Sequence, residues 1–160
     1  MSQSYVEVWI HAVFSTKHRN PLIRPEFEEG LHRHMRDYLD EVLRAPVAAI
    51  NGTADHLHLL FRLPTEQRIM DIMKHVKGES SHWVNQQDLM PQKFAWQSGY
   101  GAFSVDRNAI EPVVRYIREQ KEHHRVKTYE DECRELFDGF IMESDESDST
   151  TSGTNDKARG

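Results

Sequence analysis

Apolar positions along the chain follow two rhythms, strict alternation in some segments and helical spacing in others, and their order predicts the fold. Residues 5–14, YVEVWIHAVF, alternate and are rich in β-branched and aromatic side chains, which predicts a strand ended by the polar STKHRNP segment. Between Glu26 and Leu43, the residues Phe27, Leu31, Met35, Leu39 and Val42 recur at helical spacing, with Pro25 suited to the first turn. PVAAIN at 46–51 and HLHLLFRLP from His56 predict two short strands joined by a turn on Asn51-Gly52. Ile69, Ile72, Met73, Val76, Ser80 and Trp83 predict a second helix over 66–86, despite Gly78. After Gly99-Tyr100-Gly101, AFSV is a further strand, and Asp106 or Asn108 can cap a helix that begins near Glu111-Pro112 and carries VVRYIREQKEHHRVK. The order strand, helix, strand, strand, helix, strand is the ferredoxin-like split βαβ arrangement of the α+β class. It predicts a four-stranded antiparallel sheet with two helices on one face, followed by a C-terminal helix that contains Tyr116. Residues 128–141 hold Tyr129, Cys133, Leu136, Phe137 and Phe140, enough apolar contact to cap the domain.

Composition changes the picture at the C-terminus. Residues 143–160, ESDESDSTTSGTNDKARG, cannot bury enough apolar surface to offset their ordering entropy, so a domain over 1–142 and a disordered acidic tail are expected. The net charge of −6 argues at first against a nucleic-acid partner. Setting aside the tail's five acids and two bases leaves 21 acids and 18 bases, so the remainder is still acidic at −3. Placement matters more than the total: Lys17, His18, Arg19 and Arg24 lie in one stretch, and Arg115, Arg118, Lys121, Arg125 and Lys127 in another. The tail is either a solubilising segment or an anionic competitor for such basic faces. Cys133 is the single cysteine and cannot form an internal disulfide. No apolar run approaches the roughly 20 residues that span a bilayer. The chain also opens without the pattern of a leader peptide, and a cytoplasmic protein with no membrane partner is expected.

The residues with candidate chemistry are histidines and a tyrosine. Alternation along Asp55-His56-Leu57-His58-Leu59-Leu60-Phe61 places both histidines on one face of a strand and Leu57, Leu59 and Phe61 on the other. Two adjacent imidazoles can share one cation, but HxH alone reads first as paired solvent-facing or packed histidines. Tyr116 and Gln120, four residues apart, project from one face of a helix, and His123 and His124 continue that stripe. A phenol is a poor nucleophile at neutral pH and needs a polarised target, which a nearby metal supplies. By itself, Tyr-x-x-x-Gln reads first as a helix surface pair with the tyrosine half buried. Asp55 is either a turn residue or an outer partner that orients His56. His11 shares the alternation of Trp9 and Val13 and reads first as a structural histidine. Lys17 and Arg19 past the first strand, and Lys74 and Lys77 on the second helix, are either phosphate contacts or solvated charges. Tyr100, between two glycines, is the better placed of the aromatics to stack on an unpaired base.

Taken in order, HAVFSTKHRNPL, His56-Leu57-His58, MKHVKGESSHW, GYGAFSV and YIREQKEHH resemble the single-tyrosine HUH transposases of the IS200 type and their REP-associated tyrosine transposase relatives, over most of residues 5–127. The resemblance implies that Tyr116 is the nucleophile and that His56, His58 and Gln120 hold a divalent metal, Mg2+ or Mn2+. It also implies cleavage and rejoining of single-stranded DNA hairpins through a 5′-phosphotyrosine link, in DNA transposition or repeat processing, by a homodimer. Two other functions share these residues. One is a nucleic-acid-binding regulator that keeps the fold without cutting, and the other a metal-dependent phosphodiesterase that uses water.

Overall fold

The computed structural model describes residues 3–137, so the expectations for the end of the last helix, with Phe140, and for the acidic tail lie outside the described residues. Strand β1 is Trp9–Ser15, β2 Val47–Gly52, β3 His56–Arg62 and β4 Gly101–Val105. They form one sheet in the order β2-β3-β1-β4, with every neighbouring pair antiparallel, as the split βαβ reading requires. Helices α1 (Pro25–Asp37) and α2 (Ile69–Gln86) cover one face. Over the other face lie α3 (Ile110–Arg118), the single turn α4 (Gln120–His123) and α5 (Tyr129–Leu136).

The two faces differ because β3 alternates. Leu57, Leu59 and Phe61 are fully buried with Ile10, Ala12 and Phe14 of β1 beneath Phe27, Leu31 and Met35 of α1 and Ile72, Met73 and Val76 of α2. Burying each large apolar side chain contributes about 1.5–3 kcal/mol, so this layer is the main source of stability. On the opposite face the apolar contact splits into two small clusters. Ile117 packs on Ala49 and Leu60 under α3, while Tyr129 and Cys133 pack on Val13 under α5. His56 and His58 lie between those two clusters, on the face that β1 shares through Ser15 and Val13, their cross-strand partners.

Four details depart from the sequence reading. Pairing in β1 begins at Trp9 rather than Tyr5, because the exposed Tyr5 has no partner strand to pack on. The first helix ends in a π turn, in which the Leu43 amide donates to the Tyr38 carbonyl at 3.1 Å. The wider turn shifts the helical phase by one residue, so Leu43 is buried and Val42 is 62% exposed. Asn51 and Gly52 are the last paired residues of β2, opposite His58 and Leu57, and Thr53-Ala54-Asp55 makes the reversal. Gly52 is required by proximity instead, since a Cβ there would lie 2.1 Å from the His56 carbonyl oxygen. The single long helix expected after Pro112 breaks at Glu119 (φ −92°, ψ 16°), and the next residue, Gln120, is fully buried.

Candidate active site

The β3 backbone places His56 and His58 side by side with neither ring exposed, their centroids 5.3 Å apart and their planes at 75°. Each ring has an outer and an inner nitrogen. His56 Nδ1 lies 2.8 Å from Asp55 Oδ1 and 2.9 Å from Thr53 Oγ1, in the turn just before the strand. Its Nε2 points inward, 3.1 Å from Gln120 Oε1 and 3.3 Å from Glu132 Oε1. His58 Nδ1 lies 2.8 Å from His11 Nε2, and its Nε2 lies 2.6 Å from Glu132 Oε1. Two inner imidazole nitrogens and the oxygens of Gln120 and Glu132 thus converge in one buried space.

The second oxygen of Glu132 reaches the tyrosine. Tyr116, half-buried on α3, donates its hydroxyl hydrogen bond to Glu132 Oε2, and Gln120 Nε2 donates to the same oxygen at 3.1 Å. His124 Nε2 is 3.2 Å from it. The Tyr116 ring meets the edge of His58 at 5.7 Å, and Tyr129 stacks on His56 at 4.4 Å, closing the site on two sides. One carboxylate therefore links the histidine pair to the hydroxyl of Tyr116.

The electrostatics follow from burial opposed by these bonds. Burial alone would lower the His56 pKa, but its hydrogen bonds to Asp55 and Glu132 outweigh that and raise it to about 9. His58 is fully enclosed, and burial lowers its pKa to about 4 even with Glu132 beside it. Burial would raise the Glu132 pKa, yet the bonds from His56 and His58 hold it well below the usual carboxylate range. Tyr116 is pushed well above an ordinary phenol, first by burial and then by its bond to Glu132. At rest it is a neutral phenol beside an anion.

The donor set fits a metal ion on chemical grounds. His56, His58 and Glu132 offer ligand atoms all within 4.8 Å of one another. If Asp55 and His11 take the outer N–H groups, both inner nitrogens present lone pairs to carboxylate and amide oxygens. Such a convergence of acceptors is stable only around a cation, either a proton or a metal. Mixed imidazole and oxygen donors are acceptable to several first-row divalent metals.

The sequence reading placed His56, His58, Tyr116 and Gln120, and the structure brings all four into this one cluster. It missed Glu132. The signal was present: Tyr129, Glu132, Cys133 and Leu136 share one helical stripe, so an acid occupies a position on the face that packs against the sheet. Asp55 takes the orienting position beside His56. The five proposed DNA contacts are spread out. Lys74 and Lys77 stand on α2, across the sheet from the histidines, and Lys77 Nζ donates to the Gln97 and Gly99 carbonyls at 2.7 and 2.8 Å. Tyr100 packs in part against the main core. Lys17 is exposed on the turn after β1, while Arg19 pairs with Glu130 at 2.6 Å. Arg19 also lines an open cleft of about 620 Å³ beside the site, with Asp55, His124, Arg125, Lys127 and Tyr129.

Comparison with known proteins gives matches over the same segment. The family described as transposase, IS200 like, matches residues 4–120. The ISDra2 transposase TnpA of Deinococcus radiodurans is 27% identical over 123 residues, covering 69% of this chain and 81% of that protein. The transposase for insertion sequence element IS200 of Salmonella typhimurium is 26% identical over 121 residues, covering 72% of this chain and 78% of its own length. Two solved structures share the fold. A candidate transposase from Deinococcus radiodurans R1 aligns with a TM-score of 0.58 at 23% identity, over 75% of this chain and 96% of that one. A REP-associated tyrosine transposase bound to a REP hairpin aligns with a TM-score of 0.56 at 16% identity, over 78% and 73%. Among the described residues no helix is long and apolar enough to cross a membrane.

Proposed function

The chain belongs to the IS200-like transposase family, and from that premise we propose that it cuts and rejoins single-stranded DNA hairpins with Tyr116 as its nucleophile and a divalent metal as its cofactor. One observation carries the reading: the Tyr116 hydroxyl and the inner atoms of His56, His58 and Gln120 all meet on the two oxygens of one buried carboxylate. These groups are separated in the chain by up to 76 positions, between His56 and Glu132, and come together only through the fold.

His56 Nε2, His58 Nε2 and Gln120 Oε1 would hold Mg2+ or Mn2+, and Glu132 completes the oxygen donors. When bound there, the ion neutralises charge on a backbone phosphate and makes phosphorus more open to attack. In the reaction the Tyr116 oxygen forms a bond to phosphorus as the bond from phosphorus to the 3′ oxygen breaks. The phenol proton passes to Glu132 Oε2, which already accepts its hydrogen bond, and the departing 3′ oxygen takes a proton from water to become a hydroxyl. The 5′ end stays on Tyr116 as a phosphotyrosine, which retains the reactivity of a phosphodiester, so a 3′-hydroxyl can reverse the step and join strands. Asp55 and Thr53 fix the His56 ring, and the Tyr129 face excludes water from it.

The hairpin substrate follows from the family and from the REP hairpin named with the structural neighbour. Action as a homodimer is the expectation carried by the same resemblance. Arg19 at the cleft and Lys17 on the same turn are the proposed phosphate contacts nearest the site. Lys74, Lys77 and Tyr100 would meet a strand on the far side of the sheet or at its edge. The test is incubation of the protein with labelled single-stranded hairpin DNA and Mn2+, run on a denaturing gel beside Tyr116→Phe. A metal-dependent covalent adduct made only by the unsubstituted protein is expected; cleavage that survives Tyr116→Phe would favour a water-using phosphodiesterase.

A further inference from the structure

His11 is a buried histidine that takes no part in the bond-making steps proposed above. It stands on β1 opposite Leu60, while Val13 is opposite His58, so the His11 and His58 rings are diagonal neighbours on one face of the sheet. Their centroids lie 5.1 Å apart, and His11 Nε2 is 2.8 Å from His58 Nδ1. Phe103 at 5.8 Å and the Tyr116 ring at 6.3 Å enclose His11 on β4 and α3. The pair is built into the sheet, and its spacing is set by strand register rather than by a mobile loop.

Two ring nitrogens at that distance share one hydrogen: one ring donates and the other accepts. Which does so decides what His58 offers on its other side. An imidazole with hydrogen on Nδ1 presents a lone pair at Nε2, and that is the only neutral form able to ligate through Nε2. His56 has Asp55 and Thr53 as its outer acceptors, whereas His58 has neither a carboxylate nor a hydroxyl at Nδ1 and has His11. We propose that His11 is a positioning residue for the metal site: its Nε2 accepts the Nδ1–H of His58 and so keeps the His58 Nε2 lone pair aimed at the ion.

This role rests on the reading of His56 and His58 as metal ligands. It adds that the two ligands are oriented by unlike partners, an acid on one and a neutral imidazole on the other. A neutral acceptor contributes less negative charge to the site than a second carboxylate would, in a space that already holds Glu132. His11 ligates nothing itself; its effect is on the ring it holds.

The test uses the full chain and Mn2+ alone as the probe, with binding read by electron paramagnetic resonance. Wild type is compared with His11→Leu, with His11→Asn, whose amide is too short to reach His58, and with His11→Gln, whose terminal amide can occupy the place of Nε2. Loss of an outer partner weakens metal binding by roughly 10- to 100-fold. That loss is expected for Leu and Asn, with affinity recovered in Gln. Nitrogen-15 spectra of the histidine rings, with Mg2+ as the diamagnetic ion, should show His58 protonated at Nδ1 in the loaded wild type. Equal Mn2+ affinity in folded wild type, Leu and Asn variants would overturn the role of His11 while leaving the metal site intact. Absence of Mn2+ binding by wild type would overturn the metal reading itself, and the positioning role with it. Should Leu fail to fold, the Asn and Gln pair decides the question.

Discussion

Replacing Glu132 with alanine perturbs the site at its centre, and the structure sets the size of the effect. The carboxylate is buried and accepts from the Tyr116 hydroxyl and from Gln120 Nε2 at 3.1 Å, with His58 Nε2 at 2.6 Å and His56 Nε2 at 3.3 Å beside it. Its removal leaves the His56 ring with Asp55 as the one remaining acid beside it. It also leaves the Tyr116 and Gln120 donors without their acceptor. Breaking a buried ion pair from one side costs about 3–5 kcal/mol. Each orphaned buried donor adds about 1–3 kcal/mol unless water reaches it. Tyr116 is half-buried, so water can enter beside it, and about 3–5 kcal/mol is the expected total without metal. For a chain of this length that lowers Tm by roughly 10–15 °C. Glu132→Gln keeps the volume and one acceptor, and should lose about half as much. The assay is urea and thermal unfolding in EDTA, with hydrogen exchange over α5 to show whether that helix undocks first. A loss below about 1 kcal/mol for the alanine variant, with α5 protection unchanged, would refute the carboxylate as the element holding the site together.

Three further outcomes test other parts of the account. Gly52→Ala drives a Cβ into the His56 carbonyl oxygen at 2.1 Å and the Leu57 Cα at 2.9 Å, so a loss of at least about 2 kcal/mol in unfolding free energy is expected. Lys121 Nζ joins Glu28 at 2.5 Å and Asn51 at 3.0 Å on the surface, and Lys121→Ala should cost no more than about 1 kcal/mol by urea titration. Mn2+ at about 100 times its dissociation constant should stabilise wild type by about 2.7 kcal/mol in the same titration, and EDTA should reverse it.

Much of this was legible in the chain. Alternation in HLHLLFR gave both the buried face, Leu57, Leu59 and Phe61, and the histidine face. The helical spacing of Phe27, Leu31 and Met35 was equally direct. What escaped has physical causes. The π turn at Tyr38 has no local composition signal, so Val42 was placed inside and Leu43 is. The break at Glu119 involves neither glycine nor proline, and the burial of Gln120 beside it depends on contact with His56 from a distant strand. Glu132 was hidden because an acid on a short helix is ordinarily solvated, and only the docking of Tyr129 and Cys133 on Val13 shows which way it faces. The diagonal between His11 and His58 depends on strand register, which hydrophobic pattern restricts but does not number.

The most direct test of the central claim is to locate the covalent bond. Protein incubated with a single-stranded hairpin and Mn2+ is denatured, digested with protease and nuclease, and its peptides are sequenced by tandem mass spectrometry. The account predicts a nucleotide attached through a 5′ phosphate to Tyr116, absent when EDTA is present. A nucleotide found on another residue, or cleaved DNA with none on any peptide, would contradict it.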